Sequence, residues 1–263
     1  MQSIQKLFNF YIKSSIHVGI AVFSLVQITK IALNIKIEYI IDCFILFGTI
    51  FGYNFLRYSS LKIDLFKHKF YIGIATISFI SLILMICFFF LMESKLQLEF
   101  LKIGFLVLIY PFIRKYFFLK MFIVSFCITY ITVYIPIFSQ NINLVDCWVL
   151  ISRRFLFVVC LLIPSEIVDI KSDSKSLFTL LQKIGIFKTK ILGYFLLLGF
   201  VILDFFGLSL IANISIGIII AVFIYFSNEN RPKAYTNFWV ESIPIFWLLL
   251  LIILRNLKFD VEF

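Results

Sequence analysis

Apolar runs of about 17–25 residues recur along this chain, each long enough to cross ~30 Å of hydrocarbon as a helix. A span must satisfy its own backbone hydrogen bonds, so only helices or a closed barrel can be built from such runs. A barrel needs short segments of alternating hydrophobicity, and these runs are continuous. With 62% of its 263 residues hydrophobic and a mean hydropathy of +1.08, the chain carries almost no soluble mass. We therefore expect an all-α, polytopic membrane protein forming a single integral domain over residues 1–263, in a bacterial inner (cytoplasmic) membrane.

A short basic amphipathic lead-in, Met1–Lys13, precedes the first run. Nine spans are then expected: Ser14–Leu33, Glu38–Phe55, Lys69–Met92, Leu101–Ile113, Met121–Phe138, Leu144–Pro164, Ile191–Phe206, Leu208–Phe226 and Phe238–Leu254. The fourth is short before Pro111 and is expected to run through it, and the sixth contains Arg153 and Arg154. The first run has no small-residue cleavage pattern, so it reads as a retained span and not a signal peptide.

Loop charge orients this layout. With the N-terminus cytoplasmic, sixteen of the 24 Lys and Arg fall on the inner side and six on the outer, the bias of the positive-inside rule. The net charge of +10 is spread over short loops, which suits topology and anionic membrane lipids and not nucleic acid. The five cysteines lack a C-x-x-C pair and there are only two histidines, which argues against a zinc or iron–sulfur site. His17 reads as a hydrogen-bonding group of the bundle interior, and the 35 phenylalanines as ordinary membrane core.

Chemistry concentrates in Pro164–Leu181, PSEIVDIKSDSKSLFTLL. Glu166, Asp169 and Asp173 stand at i, i+3 and i+7, which on a helix places them on one face. Carboxylates at a membrane helix end can seat a hard divalent cation, or simply form a solvated helix cap. The loops after the second and sixth spans share the inner side and carry the most charge. A site built from both would be a cation-rich mouth suited to a polyanion such as a diphosphate.

These residues resemble the UbiA superfamily of intramembrane prenyltransferases. The stretch EIVDIKSDSKSLFTLLQKIGI is similar to that family's second acidic motif, with Asp169 and Asp173 as its D-x-x-x-D, then Thr179 and Leu180, and Leu181 where proline is usual. Tyr110–Lys115, YPFIRK, resembles the Tyr-x-x-x-Lys element with Arg114 in the lysine position. The first acidic motif should follow the second span, where the chain reads YNFLRYSSLKID. Asn54 stands, but Phe55, Tyr58 and Lys62 hold the acidic positions, and the nearest acid, Asp64, is out of register by two.

The resemblance implies a nine-helix UbiA-like bundle and a Mg²⁺-dependent transfer of a polyprenyl group from its diphosphate to a lipid-soluble acceptor at the cytoplasmic face. It assigns Asp169, Asp173 and Tyr110 to catalysis. Glu166, Asp169 and Asp173 would hold the metal, and Asn54, Arg57, Lys62, Arg114, Lys171 and Lys175 would bind substrate. Each also has a plain reading: lysines as positive-inside decoration, Asn54 as a helix C-cap, Tyr110 and Arg114 as interface residues. Arg153 and Arg154, if truly intramembrane, should pair with an acid, for which Glu241 is a candidate. Loss of the first motif favours a relative that binds an isoprenoid lipid or a partner protein without turnover. A transporter would need more polar residues along a path than Arg153, Arg154 and Asp204. The sequence contains no Ser/His/Asp or H-E-x-x-H arrangement for a hydrolase.

Overall fold

The computed structural model describes residues 2–36, 38–59, 70–113, 119–171, 180–203 and 210–256, and the secondary structure among them is entirely helical. In chain order the helices are α1 (Gln2–Lys13), α2 (Ile16–Ala32), α3 (Tyr39–Ser59), α4 (Tyr71–Phe90), α5 (Ser94–Ile113) and α6 (Leu119–Thr129). A π-helical turn, Tyr130–Tyr134, leads into α7 (Ile135–Ser139). Then come α8 (Trp148–Asp169), α9 (Leu180–Ile202), α10 (Leu210–Phe226), a second π-helical turn (Tyr235–Val240) and α11 (Ile243–Asn256). Six helical stretches among the described residues are long and apolar enough to cross a membrane, seven if α1 and α2, bent by 60°, count as one span.

Among the described residues, helices stand at the expected segments, two with earlier starts and one with a later end. α5 begins at Ser94 instead of Leu101, taking Lys95 and Glu99 into the helix alongside Lys102. Its charge is neutralised locally: Lys102 donates to Glu99 at 2.6 Å, and the Tyr130 hydroxyl donates to the other Glu99 oxygen. α9 begins eleven residues before Ile191 as two helical stretches that meet at a kink at Gly185 (φ 79°, ψ 163°), a conformation a side chain would strain. α8 continues through Pro164 to Asp169, so Glu166 and Asp169 do lie on one helix, three residues apart.

Two apolar clusters fill the bundle. One joins α8, α9, α10, α11 and α2 around Phe157, Phe200 and Trp247, with Phe157 and Trp247 ring centroids 4.7 Å apart. The other joins α2, α3, α5 and α6 around Val26, Ile45 and Phe100. Lipid offers no hydrophobic drive between helices, so close packing must hold them. At the α2–α3 crossing, a Cβ on Gly19 would lie 2.6 Å from Ile50 Cγ1, so only glycine permits this approach.

Polar bolts connect the clusters. Arg154 is buried in α8 and donates to Leu25 O at 2.8 Å and Thr29 Oγ1 at 3.1 Å on α2, with its guanidinium 5.4 Å from the Trp247 ring. The expected pairing with Glu241 is not made. Arg154 is fifteen residues from Asp169, roughly 20 Å along α8, and Glu241 lies near the Asp169 end. His17 is buried as expected. Its ring nitrogens meet the Tyr11 hydroxyl at 2.9 Å, and Phe238 O at 3.1 Å with Ser242 Oγ at 3.2 Å.

The α1–α2 elbow is the tightest of these joints. Ser15 sits there at φ 61°, a costly conformation for a residue with a Cβ. Asn54 of α3 holds it: its amide donates to Ser14 O and to Ser78 Oγ of α4, both at 2.9 Å, and accepts from Ser15 Oγ at 2.5 Å. Asn54 is therefore not a C-cap, since α3 runs on to Ser59, and its amide is engaged within the protein. Replacing Asn54 with Ala should cost about 1–3 kcal/mol by leaving buried polar groups unpaired. Thermal unfolding in detergent should show a clearly lower Tm, and an unchanged Tm would remove the latch.

Candidate functional site

The C-terminal end of α8 brings its two acids to one end of the bundle. Glu166 is buried and forms an ion pair with Lys120 of α6 at 2.6 Å. Asp169 is more open, its side chain 38% exposed, and lies 3.7 Å from Lys233. Lys171, just past the helix, reaches across to the segment before α11, donating to Asn230 Oδ1 at 2.5 Å with Glu229 Oε1 at 3.5 Å.

The C-terminal half of α3 comes to the same end. Arg57 donates to Ile12 O at 3.3 Å and places its guanidinium 5.8 Å from the Tyr53 ring. The Tyr53 hydroxyl donates to Glu241 Oε1 at 3.2 Å. Glu241 follows the second π-helical turn, a local irregularity that often accompanies function. Arg57 and Asp169 both lie within electrostatic reach of Glu241, and Tyr110 of α5 within reach of Tyr53. Side chains from α3, α5, α8 and the entry to α11 thus converge.

Of the residues expected at a site, Asp169, Tyr110 and Arg57 belong to this convergence. Glu166 does not present a free carboxylate: expected as a metal ligand, it is closed off by Lys120. Lys171, expected on a substrate, rests on Asn230 and Glu229. Asn54 is spent on the elbow. Asp173, Lys62, Arg114 and Lys175, with Asp64, lie outside the described residues. Among those described, no three His, Cys, Asp or Glu side chains group closely enough to hold a metal ion.

Three participants were not singled out from the sequence, Tyr53, Lys120 and Lys233, and Glu241 was named only as a partner for Arg153 or Arg154. Glu241 carried a signal, being an acid within the apolar run Phe238–Leu254, where an ionisable residue marks function by default. Lys120 and Lys233 looked like ordinary loop cations. Tyr53 looked like one more aromatic residue in a run rich in them.

The pairing of Glu166 with Lys120 is open to a double-mutant cycle. Glu166→Gln and Lys120→Gln should each destabilise by ~1–3 kcal/mol, since each leaves a charge without its partner. The double variant should cost less than the sum of the two. Strict additivity would mean that the two side chains do not interact.

No family model matches the chain, and no curated protein matches it significantly. Among solved structures, the chain is similar to the apo structure of a UbiA homolog from Aeropyrum pernix K1, with a TM-score of 0.64 at 12% identity over 93% of this chain and 97% of that one. The match runs nearly end to end in both, so it extends to the whole order of helices and not to one local motif. The chain has the UbiA fold.

Proposed function

We propose that this chain is an intramembrane prenyltransferase that moves a polyprenyl group from its diphosphate to a lipid-soluble acceptor at the cytoplasmic face. The observation that carries this reading is the convergence of Arg57, Tyr53, Tyr110, Asp169 and Glu241 from α3, α5, α8 and the entry to α11 at one end of a UbiA-like bundle. Cation, carboxylate and aromatic faces are the groups that ionisation of an allylic diphosphate calls on.

The chemistry divides among them. Arg57, with Lys62, Lys171, Lys175 and Arg114, would bind diphosphate oxygens through charge-assisted hydrogen bonds. As the allylic carbon–oxygen bond breaks, negative charge grows on the leaving diphosphate, and fixed cations lower that barrier. The faces of Tyr53 and Tyr110 suit the developing allylic cation. When the acceptor attacks, its proton must leave, and the Glu241 carboxylate, which accepts from the Tyr53 hydroxyl, is the base at hand.

Mg²⁺ fits part of the expected ligand set. Asp169 is partly open and its lysine contact is long, so an oxygen can turn to a hard cation. Buried Glu166, ion-paired at 2.6 Å, does not fit. Asp169 together with Asp173 would hold the ion, which supplies positive charge against the departing diphosphate.

A second reading rests on a specific observation. Glu166 faces Lys120, Asp169 faces Lys233, and Glu229 faces Lys171, so lysines already stand where metal charge would act. This favours a relative that binds an isoprenoid diphosphate without turning it over. Reconstituted protein with labelled polyprenyl diphosphates, acceptor lipids and Mg²⁺ separates the two. Diphosphate release is expected, with Asp169→Ala lowering it about a hundredfold and Glu241→Gln lowering it about tenfold or more. Tight binding insensitive to Mg²⁺, with no release at any chain length, would establish the second reading instead.

A further inference from the structure

Glu241 owes its place to an irregularity. Its amide donates to Thr236 O at 3.1 Å, five residues back, within the second π-helical turn. At the next residue the α-helical ladder resumes, with Ser242 N donating to Phe238 O at 2.9 Å. Such a turn holds one residue more than an α-helix needs. Were it to relax by one residue, the stretches on its two sides would turn by about 100° relative to each other. Glu241 would then swing away from the Tyr53 hydroxyl, from which it accepts at 3.2 Å.

The group that grips this turn comes from another helix. His17, at the start of α2, is 1% exposed, and its Nε2 lies 3.1 Å from Phe238 O. Ser242 Oγ, which donates to the same carbonyl at 2.6 Å, lies 3.2 Å from Nε2. A carbonyl can only accept, so Nε2 carries a proton, and in the neutral ring Nδ1 then accepts from the Tyr11 hydroxyl at 2.9 Å. The imidazole also stacks on the Phe238 ring, with centroids 5.1 Å apart and 29° between the planes. Backbone and side chain of one residue in the turn are thus held by a single ring. The bonds close on themselves: Ser15, two residues before His17, is bound by Asn54, and Tyr53 beside Asn54 donates to Glu241.

We infer that His17 is a positioning residue: by donating to Phe238 O it fixes the register of the second π-helical turn and so keeps the Glu241 carboxylate on the Tyr53 hydroxyl. That this carboxylate takes the acceptor's proton rests on the prenyl-transfer reading, whereas its placement by His17 does not. His17 acts only through Glu241.

Two substitutions separate the hydrogen bond from the ring. His17→Gln puts an amide nitrogen at the depth of Nε2 and keeps a donor for Phe238 O, whereas His17→Asn reaches only as far as Nδ1. Both lose the stacked ring alike. The first readout needs no turnover: thermal unfolding in detergent of Tyr53→Phe, Glu241→Gln and their double variant, made in each background of the whole chain. With His17 intact, and in His17→Gln, the two losses of Tm should be non-additive, and in His17→Asn they should add. Phe157→Leu, which loosens the apolar cluster instead, should lower Tm and leave the non-additivity in place. The second readout is kcat for prenyl transfer. His17→Asn should lower it about tenfold or more at an unchanged KM for the diphosphate, and His17→Gln should largely preserve it. Adding His17→Asn to Glu241→Gln should lower it no further. Coupling that survives His17→Asn, coupling lost equally in Phe157→Leu, or His17→Gln as damaging as His17→Asn would overturn the assignment. A wild-type chain without turnover, whose Tyr53–Glu241 coupling still depends on His17, would sink prenyl transfer and still support the placement.

Discussion

Inside a membrane a polar group has no water to turn to, so protein must answer it. That constraint organises this bundle more than any apolar contact. Arg154 is answered by backbone and hydroxyl of α2, Lys30 by Asp42, Glu99 by Tyr130 and Lys102, and Glu166 by Lys120. Each bond joins two helices or two turns that greasy side chains alone would leave free to slide. The apolar clusters supply close packing, and the polar pairs fix which helix faces which.

The elbow between α1 and α2 shows how this reaches the candidate site. Asn54 and Arg57 of α3 bind its backbone, while His17, just past it, binds Phe238 and Ser242 on either side of Glu241. The two elements that carry Tyr53 and Glu241 are therefore tied to one common joint. At the site itself, positive and negative side chains are matched, so under the proposed function an incoming diphosphate would meet lysines that must exchange one anionic partner for another. Such exchange costs little at half-open positions such as Asp169 and more at buried ones such as Glu166.

Much of the fold was legible from the sequence, because a run of about twenty apolar residues has few other uses. Helix starts were missed where charge entered a span. Glu99 looks like a loop residue until Tyr130 is known to lie beside it, and no local pattern reports that neighbour. The acids of α8 were readable from their i, i+3 spacing, but their lysine partners come from distant stretches of chain. Asn54 was legible as a polar residue in an apolar run. Its true partners, Ser14, Ser15 and Ser78, depend on a 60° bend that the sequence does not announce.

The central claim is that four helix ends build one receptacle for a polyprenyl diphosphate. Photoaffinity labelling with a benzophenone-bearing polyprenyl diphosphate, followed by peptide mapping, tests it most directly. The account predicts labelling on α3, α5 and the segment entering α11, suppressed by excess unlabelled diphosphate. Labelling confined to lipid-facing positions such as Ile72 and Phe79 of α4, and indifferent to competitor, would contradict it.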